Sequence, residues 1–268
     1  MRSLSRLMDL SGRNALVTGG AGHAAQAVEE ALKELGSTIT LLDVDAKACE
    51  ARAAYLKRRY KKGRVFILPC DLRDERSTRR AVRTAIRTMG GLDILVHCAA
   101  YVGTTRVAGW AVPFAQQTVE AWDAAMRVNV TSAFIMVQEA KDALAKNSRG
   151  SVIFFASTYG LVGPDFRLYA KTRMANPAGY GASKGGLLQL ARYLATALAP
   201  RVRVNAITPG GIWRGQPEVF RRRYVSRTPL GRMAREEDLK GAIAYLSSDL
   251  SAYVTGHNLV VDGGWTVW

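Results

Sequence analysis

The sequence predicts a single doubly wound α/β domain, in which helices flank a central parallel sheet. Short apolar runs alternate with longer segments of helical periodicity along the 268 residues, and this alternation is typical of βαβ units. The runs at 92–96 and 151–156 are almost continuously apolar, as expected of parallel strands that are buried on both faces. No repeat or linker divides the chain, so residues 1–268 are expected to form one domain.

Glycines and an acidic cap separate the predicted elements in the first half of the chain. Gly36, Gly63 and Gly90 follow three segments of helical periodicity, and glycine is common just past the end of a helix. Asp45 precedes the second helix and suits its N-cap. The predicted order is strand Asn14–Thr18, helix His23–Leu35, strand Ser37–Asp43, helix Ala46–Lys62, strand Val65–Pro69, helix Asp74–Met89 and strand Asp93–His97.

The second half continues the alternation around one long irregular stretch, which begins near residue 157. Helical patterns lie on both sides of this stretch, and the last apolar run is close to the C-terminus. The predicted order is helix Val119–Arg127, helix Thr131–Lys146, strand Ser151–Ala156, helix Gly179–Ala199, strand Val202–Ile207, helix Glu236–Ser247 and strand Asn258–Val261.

Composition argues against several classes of protein. The three cysteines are scattered and form no CxxC pair, which argues against a disulfide framework and against a metal site. The first residues lack the apolar core of a signal peptide, and no apolar run is long enough to cross a membrane. We therefore expect a cytoplasmic protein without a metal and without a membrane partner.

The formal net charge of +16 has three interpretations. It can reflect an ordinary solvated surface, an anionic substrate or acidic partner, or a nucleic-acid partner. The basic residues are spread along the chain, with short clusters at 58–62 and 221–223. Because no nucleic-acid-binding motif accompanies them, we expect no nucleic-acid partner.

A glycine-rich turn between the first strand and the first helix predicts a dinucleotide site. Gly20, Gly22 and Ala25 satisfy the G-x-G-x-x-G/A spacing, which lets the backbone approach a pyrophosphate at a helix N-terminus. An acidic residue about 20 positions later should bind the adenosine ribose. Asp43 stands at that position; Asp45 is the alternative, and Asp43 could instead be a turn or cap residue. A carboxylate here repels a 2′-phosphate and favours NAD over NADP.

A tyrosine and a lysine four residues apart predict the catalytic pair. Tyr180 and Lys184 lie on one face of a predicted helix. A tyrosine with its ordinary pKa near 10 is a poor acid–base group at neutral pH. A nearby ammonium lowers that pKa, as does the positive nicotinamide of NAD⁺. Ser157 follows the fifth strand and can donate a hydrogen bond to the same substrate oxygen.

Together these motifs resemble the compact, single-domain branch of the short-chain dehydrogenase/reductase family. The matching segments come in the family's order and cover about residues 12–264. They are Thr18-Gly19, Cys70-Asp71-Leu72, Asn129, Ser157–Gly160, Tyr180-x-x-x-Lys184, Asn205–Gly210 and Val254–Gly264. The resemblance implies a Rossmann-type domain that transfers a hydride between nicotinamide and an alcohol or ketone.

The resemblance also implies roles for individual residues. Asn129 would support a water that passes protons to Lys184, although it could instead cap the helix that follows. Asp71 would hold the adenine amino group. The implied catalytic residues are Asn129, Ser157, Tyr180 and Lys184. The implied cofactor-binding residues are Gly19, Gly22, His23, Ala24, Asp43, Asp71, Leu72, Cys98, Ala99, Ala100, Tyr180, Lys184, Pro209, Gly210 and Ile212.

The chain departs from the family pattern at two places. His23 and Ala25 replace the second and third glycines of the family's phosphate turn. Ala25 is a mild change, whereas the Cβ of His23 could disturb the approach of the pyrophosphate; His23 could instead donate to phosphate or simply be solvated. His97-Cys98-Ala99-Ala100 replaces the family's NNAG segment, and His97 is expected to pack near the end of the sheet.

An insertion of about residues 161–178 precedes Tyr180. It is expected to form part of the substrate wall, with a surface or subunit-contact loop as the alternative, and residues 211–230 are expected to form a lid. The insertion, the segment Trp213–Glu218 and the final Gly-Gly-Trp-Thr-Val-Trp resemble a subgroup associated with bacterial surface-sugar and nonulosonic-acid modification. Arg214 and Arg173 lie in these segments and suit an anionic substrate.

These observations predict an NAD(H)-dependent oxidoreductase for a secondary alcohol or ketone of a sugar or anionic sugar derivative. A 3-oxoacyl-carrier-protein reductase is one alternative, and a catalytically weak NAD-binding scaffold is another. The intact Ser157, Tyr180 and Lys184 argue against the scaffold, because binding alone needs no proton donor. The resemblance further implies a homodimer or homotetramer, formed through the helices around 131–146 and 179–199.

Overall fold

The computed structural model describes residues 1–268 and contains one seven-stranded parallel sheet with the order β3-β2-β1-β4-β5-β6-β7. The strands are β1 (Asn14–Thr18), β2 (Thr38–Asp43), β3 (Val65–Pro69), β4 (Ile94–His97), β5 (Gly150–Phe155), β6 (Val202–Pro209) and β7 (Asn258–Val261). The helices are α1 (Leu4–Met8), α2 (His23–Glu34), α3 (Ala46–Arg59), α4 (Glu75–Met89), α5 (Val119–Met126), α6 (Ser132–Ala145), α7 (Ala178–Ala197), α8 (Glu218–Val225) and α9 (Lys240–Ser247).

Helices cover both faces of the sheet, which confirms the doubly wound α/β prediction. On one face, Leu95 packs in a core with residues of α4, α6 and α7. The next residue along β4, Val96, points to the other face and packs with residues of α2, α3 and α9. This alternation follows from the pleat of a strand, and burial on both faces explains the continuous apolar runs.

All seven predicted strands are present, and the main differences concern helices. Helix α1 was not predicted; Ser3 caps it, but none of its five residues is buried, so it has no apolar periodicity to detect. The predicted break between residues 127 and 131 is a π turn (Arg127–Thr131) that keeps α5 and α6 in one helical run. Helix α3 ends at Arg59, three residues before its predicted end.

The order of the strands fixes where a ligand can bind. β1 pairs with β2 on one side and β4 on the other, so the chain winds outward in both directions from β1. A crevice forms at such a reversal, at the carboxyl ends of the strands. None of the helices is long and apolar enough to span a membrane.

Candidate active site

A cleft of about 490 Å³ opens at this reversal, beyond the carboxyl ends of β1 to β4. Ten residues predicted to bind the cofactor line it: Gly19, Gly22, His23, Ala24, Asp43, Asp71, Leu72, Cys98, Ala99 and Ala100. The structure thus brings together four loops that are far apart in the sequence. Pro209 is the last residue of β6, and Gly210 and Ile212 come after it. Neither these three residues nor Tyr180 and Lys184, which were also predicted to bind the cofactor, line this cleft.

Backbone atoms form the floor of the cleft at the turn after β1. Gly19 has φ +67°, and a Cβ there would lie 2.9 Å from the backbone nitrogen of Ala99. Only glycine combines this conformation with so close an approach. Gly22 is the N-cap of α2 and supplies no side-chain cap, so the first N–H groups of α2 keep their capacity to bind an anion. His23 is the exposed first residue of α2.

Asp43 joins the end of β2 to this turn. Its carboxylate accepts the N–H of Ala21 at 3.0 Å and the N–H of Asp45 at 3.1 Å. Asp45 caps α3 through the N–H of Ala48 and does not line the cleft. Of the two candidates, therefore, Asp43 faces the cleft.

Asp71 and Arg73 form the rim beyond β3. The Arg73 guanidinium pairs with the Asp71 carboxylate at 2.6 Å, and its hydrogen bonds lower the pKa of Asp71. Arg73 also lines the cleft. Asp71 therefore lines the cleft where predicted, with both of its carboxylate oxygens already accepting hydrogen bonds from Arg73.

Tyr180 and Lys184 lie on one face of α7, beside the end of β5. The Lys184 ammonium is 5.7 Å from the centre of the Tyr180 ring and donates to the carbonyl of Phe155 at 2.6 Å. Ser157, two residues beyond Phe155, is 7% exposed. Its turn packs closely on α7, because a Cβ on Gly160 would lie 2.7 Å from the Lys184 carbonyl carbon. The three predicted catalytic side chains are thus held where β5 meets α7.

Burial sets the protonation of this group. It raises the pKa of Tyr180, while the Ser157 hydroxyl and the charge of Arg214 act in the opposite direction. Burial also lowers the pKa of Lys184 to about 8. The expected lowering of the Tyr180 pKa by Lys184 is not found: desolvation dominates, and the Lys184 ammonium is directed at the Phe155 carbonyl. Tyr180 is protonated at neutral pH, the form that can donate a proton to a ketone.

Asn129 is fully buried in the π turn between α5 and α6. Its side-chain oxygen accepts the N–H of Tyr101 at 2.7 Å, and its side-chain nitrogen donates to Ser183 Oγ at 2.8 Å. Asn129 therefore ties the loop after β4 to α7, one residue before Lys184. Its side-chain amide does not cap α6.

His97 connects the cleft to the π turn. Thr18 Oγ1 accepts the N–H groups of Cys98 and Ala99, so its single proton is donated to His97 Nδ1, 2.9 Å away. Burial lowers the pKa of His97 to about 3. The ring is therefore neutral with its proton on Nε2, next to the backbone of Val128 and Asn129.

The insertion before Tyr180 packs against helix α8 and the C-terminal segment. Tyr169 lies against Phe220 of α8, and its hydroxyl is 2.7 Å from that of Tyr159. Asp165 forms ion pairs with Arg167 and Arg227. On its other side the insertion borders an open cavity of about 880 Å³, shared with residues 111–117 and Gly181.

Some residues of the site had no signal in the sequence. Tyr101, Val102, Thr104, Thr105 and Val128 line the cleft, but they lie in a loop and a π turn whose paths periodicity cannot predict. The stacked pair Tyr224 and Trp265, 5.6 Å apart, joins segments 41 residues apart. The sequence does not show whether a given aromatic residue is buried or exposed, so this contact could not be predicted.

The geometry of the cleft fits a nicotinamide dinucleotide. The glycine-rich turn after β1 leads into the N-terminus of α2, which has no side-chain cap, and this arrangement suits a pyrophosphate. Asp43 lies where the ribose next to that pyrophosphate would bind. Lys184 contributes a charge close to Cys98 of the cleft. The reactive end of such a molecule would therefore face the Ser157, Tyr180 and Lys184 group.

Comparisons of the sequence with known proteins agree with this geometry. A family profile described as enoyl-(acyl carrier protein) reductase matches residues 21–266. 2-(S)-hydroxypropyl-CoM dehydrogenase 3 of Xanthobacter autotrophicus is 33% identical over 264 residues, with 94% of this chain and 95% of the relative covered. D-threitol dehydrogenase of Mycolicibacterium smegmatis is 30% identical, with 96% and 94% covered. A 3-oxoacyl-[acyl-carrier-protein] reductase of Aquifex aeolicus is 28% identical, with 95% and 98% covered.

Solved structures show the same fold. A short chain dehydrogenase of Leptospira borgpetersenii with bound NAD⁺ has a TM-score of 0.83 at 29% identity, covering 99% of this chain and 96% of that one. An NADPH-dependent 3-quinuclidinone reductase of Rhodotorula rubra has a TM-score of 0.85 at 25% identity, covering 100% and 96%. The chain is an oxidoreductase that acts on CH–OH groups and belongs to the short-chain dehydrogenase/reductase family.

Proposed function

We propose that the protein transfers a hydride reversibly between NAD(H) and a secondary alcohol or ketone of a polyhydroxylated, anionic substrate. The observation that carries the proposal is the Ser157, Tyr180 and Lys184 group beside the cleft that Asp43 lines: Lys184 acts on Cys98 of that cleft, and Arg214 of the cleft acts on Tyr180. When bound, NAD(H) supplies or accepts the hydride. The residues of this chain then need only orient the substrate and move a proton.

Each catalytic side chain has a distinct part in that proton transfer. In the direction of reduction, the Tyr180 hydroxyl donates its proton to the ketone oxygen, and Ser157 donates a hydrogen bond to the same oxygen. Lys184 favours the resulting phenolate by its charge. In the direction of oxidation, the Tyr180 phenolate accepts the proton of the substrate hydroxyl. Asn129 is a positioning residue, because it holds Ser183 beside Lys184; a role in carrying protons to Lys184 through water remains part of the proposal.

The preference for NAD rests on Asp43. The structural neighbours include one with NAD⁺ bound and one that depends on NADPH, so the fold alone leaves the choice open. A carboxylate at the ribose end of the cleft accepts hydrogen bonds from hydroxyl groups and repels a phosphate. We therefore propose NAD(H) as the cofactor.

The proposal of an anionic substrate rests on two arginines, one lining the cofactor cleft and one lining the larger cavity. Arg214 lines the cofactor cleft, and its charge acts on Tyr180; its only carboxylate partner is Glu236, at 3.4 Å. Arg173 lines the larger cavity and forms no ion pair. Arg167 and Arg227 pair with Asp165, and Arg221 pairs with Glu218. The remaining basic residues of these segments, Lys171, Arg222 and Arg223, line neither cavity. The proposal of an anionic substrate therefore rests on Arg214 and Arg173, the two of these residues that line a cavity.

The relatives guide the choice of substrate class. The named relatives act on a CoM-linked alcohol and on the polyol D-threitol, so we propose a hydroxylated substrate that carries an acidic group. None of these names indicates surface-sugar modification, and a sugar derivative is therefore proposed only as one member of this class. A carrier-protein-bound 3-oxoacyl group is the second candidate, because the Aquifex relative is named for that reaction.

A substrate panel tests the proposal. Sugars, polyols, their phosphorylated or carboxylated counterparts and 3-oxoacyl thioesters are each supplied with NAD(H), and the nicotinamide absorbance is followed. We expect anionic compounds to have the higher kcat/KM. Arg214→Ala and Arg173→Ala should each raise the KM for the anionic compound and leave the Kd for NAD nearly unchanged. Equal turnover of neutral and anionic compounds, with no effect of either substitution, would contradict the anionic substrate.

A homodimer or homotetramer is a further part of the proposal. Phe134 on α6 is 42% exposed, and Tyr193 on α7 is 64% exposed. Apolar side chains exposed on neighbouring helices suit a subunit contact. Sedimentation equilibrium would measure the assembly, and a monomer at micromolar concentration would contradict it. Cytoplasmic location and the absence of a nucleic-acid partner stay predictions.

A further inference from the structure

Besides the active-site cleft, an arginine-rich cleft lies at the opposite edge of the sheet, where the strands begin. The amino ends of parallel strands meet at this edge, and the residues before β1, β5 and β6 therefore come together there. Two adjoining depressions of about 530 and 420 Å³ share Arg2, Arg149 and Asp249. We call the two together the basal arginine cleft.

The basal arginine cleft carries an excess of positive charge. All of its cationic side chains are arginines: Arg2, Arg6, Arg13, Arg149, Arg201 and Arg203. Its acidic side chains are Asp9, Asp93 and Asp249. Six positive groups against three negative groups leave a formal charge of +3 within one cleft.

Half of these arginines have no acidic partner and no side-chain hydrogen bond. Asp249 is occupied by Arg2 and Arg13. Arg6, Arg149 and Arg201 form no ion pair, and their guanidinium groups are free to bind a ligand. Asp9 and Asp93 form no ion pair either, and each accepts a backbone N–H, from Ser11 and Asn14. With Arg203, four arginines without an acidic partner therefore stand against two such carboxylates.

Two further arginines lie deeper in the same cleft, Arg13 buried and Arg203 half-buried. Arg13 is 7% exposed, and its Nη1 is buried without an acceptor. Arg203 donates to Ser251 Oγ and to the carbonyls of Leu246 and Ser248, none of which carries a charge. Burial and the charge of Arg13 lower the pKa of Arg203 to about 10. Arg13 and Arg203 thus repel each other, and a bound anion would relieve that repulsion.

We propose that the basal arginine cleft binds a compact polyphosphate group of two or three phosphoryl units. Guanidinium groups bind phosphoryl oxygens in pairs of parallel hydrogen bonds. One phosphoryl group carries a charge of about −1.5 to −2, so two units balance the excess of +3. The group can come from an inorganic polyphosphate or from a nucleoside polyphosphate. This inference is independent of the proposed substrate, because the two sites lie at opposite edges of the sheet.

Calorimetric titration of the full chain tests this site. The probes are inorganic pyrophosphate, tripolyphosphate and a nucleoside triphosphate, each added with saturating NAD⁺ so that the phosphate turn is occupied. We expect one equivalent to bind per chain. The double variant Arg149→Gln/Arg201→Gln should weaken binding by about tenfold or more. Equal affinity for tripolyphosphate and the nucleotide would indicate an inorganic source, and tighter binding of the nucleotide would indicate a nucleotide.

The matched control is Arg58→Gln/Arg80→Gln. It removes the same charge from two exposed helical positions that form no ion pair and line neither depression. Its affinity for pyrophosphate should stay within about twofold of the parent. An equal loss in the control would show general charge attraction and overturn the proposal. So would binding that disappears when NAD⁺ is added, an absence of binding, or tighter binding of a long oligonucleotide across many phosphates.

Discussion

Replacing Asp43 by asparagine should abolish the preference for NAD over NADP. The substitution removes the charge but keeps one oxygen that can accept the N–H of Ala21, now bonded to Asp43 at 3.0 Å. Two unit charges about 4 Å apart interact by about 4 kcal/mol at an effective dielectric constant near 20. Salt and partial exposure reduce this repulsion to roughly 1.4 to 2 kcal/mol, or about 10- to 30-fold in Kd.

Asp45→Asn is the matched control for this prediction. It removes the same charge two residues away, at an exposed N-cap outside the cleft. Calorimetry would give the Kd of NAD⁺ and NADP⁺ for the parent and both variants. We expect the ratio of the two constants to fall to within about threefold in Asp43→Asn and to stay unchanged in Asp45→Asn. Equal affinities in the parent, or a ratio that responds only to Asp45, would refute the assignment.

Three other predictions follow from the geometry of the site. Gly19→Ala should raise the Kd for NAD at least about tenfold, because the added Cβ meets the Ala99 backbone. Gly90→Ala is the control, because Gly90 has a similar positive φ but open space around the position of a Cβ. An unchanged Kd in Gly90→Ala would separate the effect of the contact from that of backbone strain. His97 has a pKa of about 3 in the fold and about 6.5 when unfolded, so between these values it takes up a proton only on unfolding. The free energy of unfolding should therefore drop by about 2 kcal/mol between pH 6.5 and 5. Urea titrations of His97→Asn should lack that part of the drop. Because burial raises the pKa of Tyr180, initial rates should show alcohol oxidation rising, and ketone reduction falling, as the pH increases above neutral; two flat profiles would argue against Tyr180 as the proton carrier.

The sheet and most of the cofactor cleft could be predicted from the sequence because their signals are local. Gly36 and Gly90 lie within two residues of the ends of α2 and α4, and continuous apolar runs mark strands that are covered on both faces. The phosphate turn, Asp43 and the Tyr180–Lys184 pair each depend on a short spacing. The parallel topology then brings these local features to one edge of the sheet.

The features that were missed depend on contacts between distant segments. The π turn around Asn129 differs from an ordinary helix only in its hydrogen bonding, which periodicity does not reveal. The raised pKa of Tyr180 results from burial, which the sequence does not show at a single position. Which arginines of the lid are free depends on partners such as Asp165, and the basal arginine cleft exists only because residues 2, 149 and 201 meet at one edge.

The central claim is that Tyr180 carries the proton during hydride transfer. Tyr180→Phe keeps the ring and removes the hydroxyl, so the measurement is kcat for the best alcohol of the panel, with the Kd of NAD⁺ measured on the same preparation. We predict that kcat falls by at least about 10²-fold while the Kd changes by less than about twofold. A Tyr180→Phe enzyme that binds NAD⁺ normally and turns over at the parent rate would contradict the account.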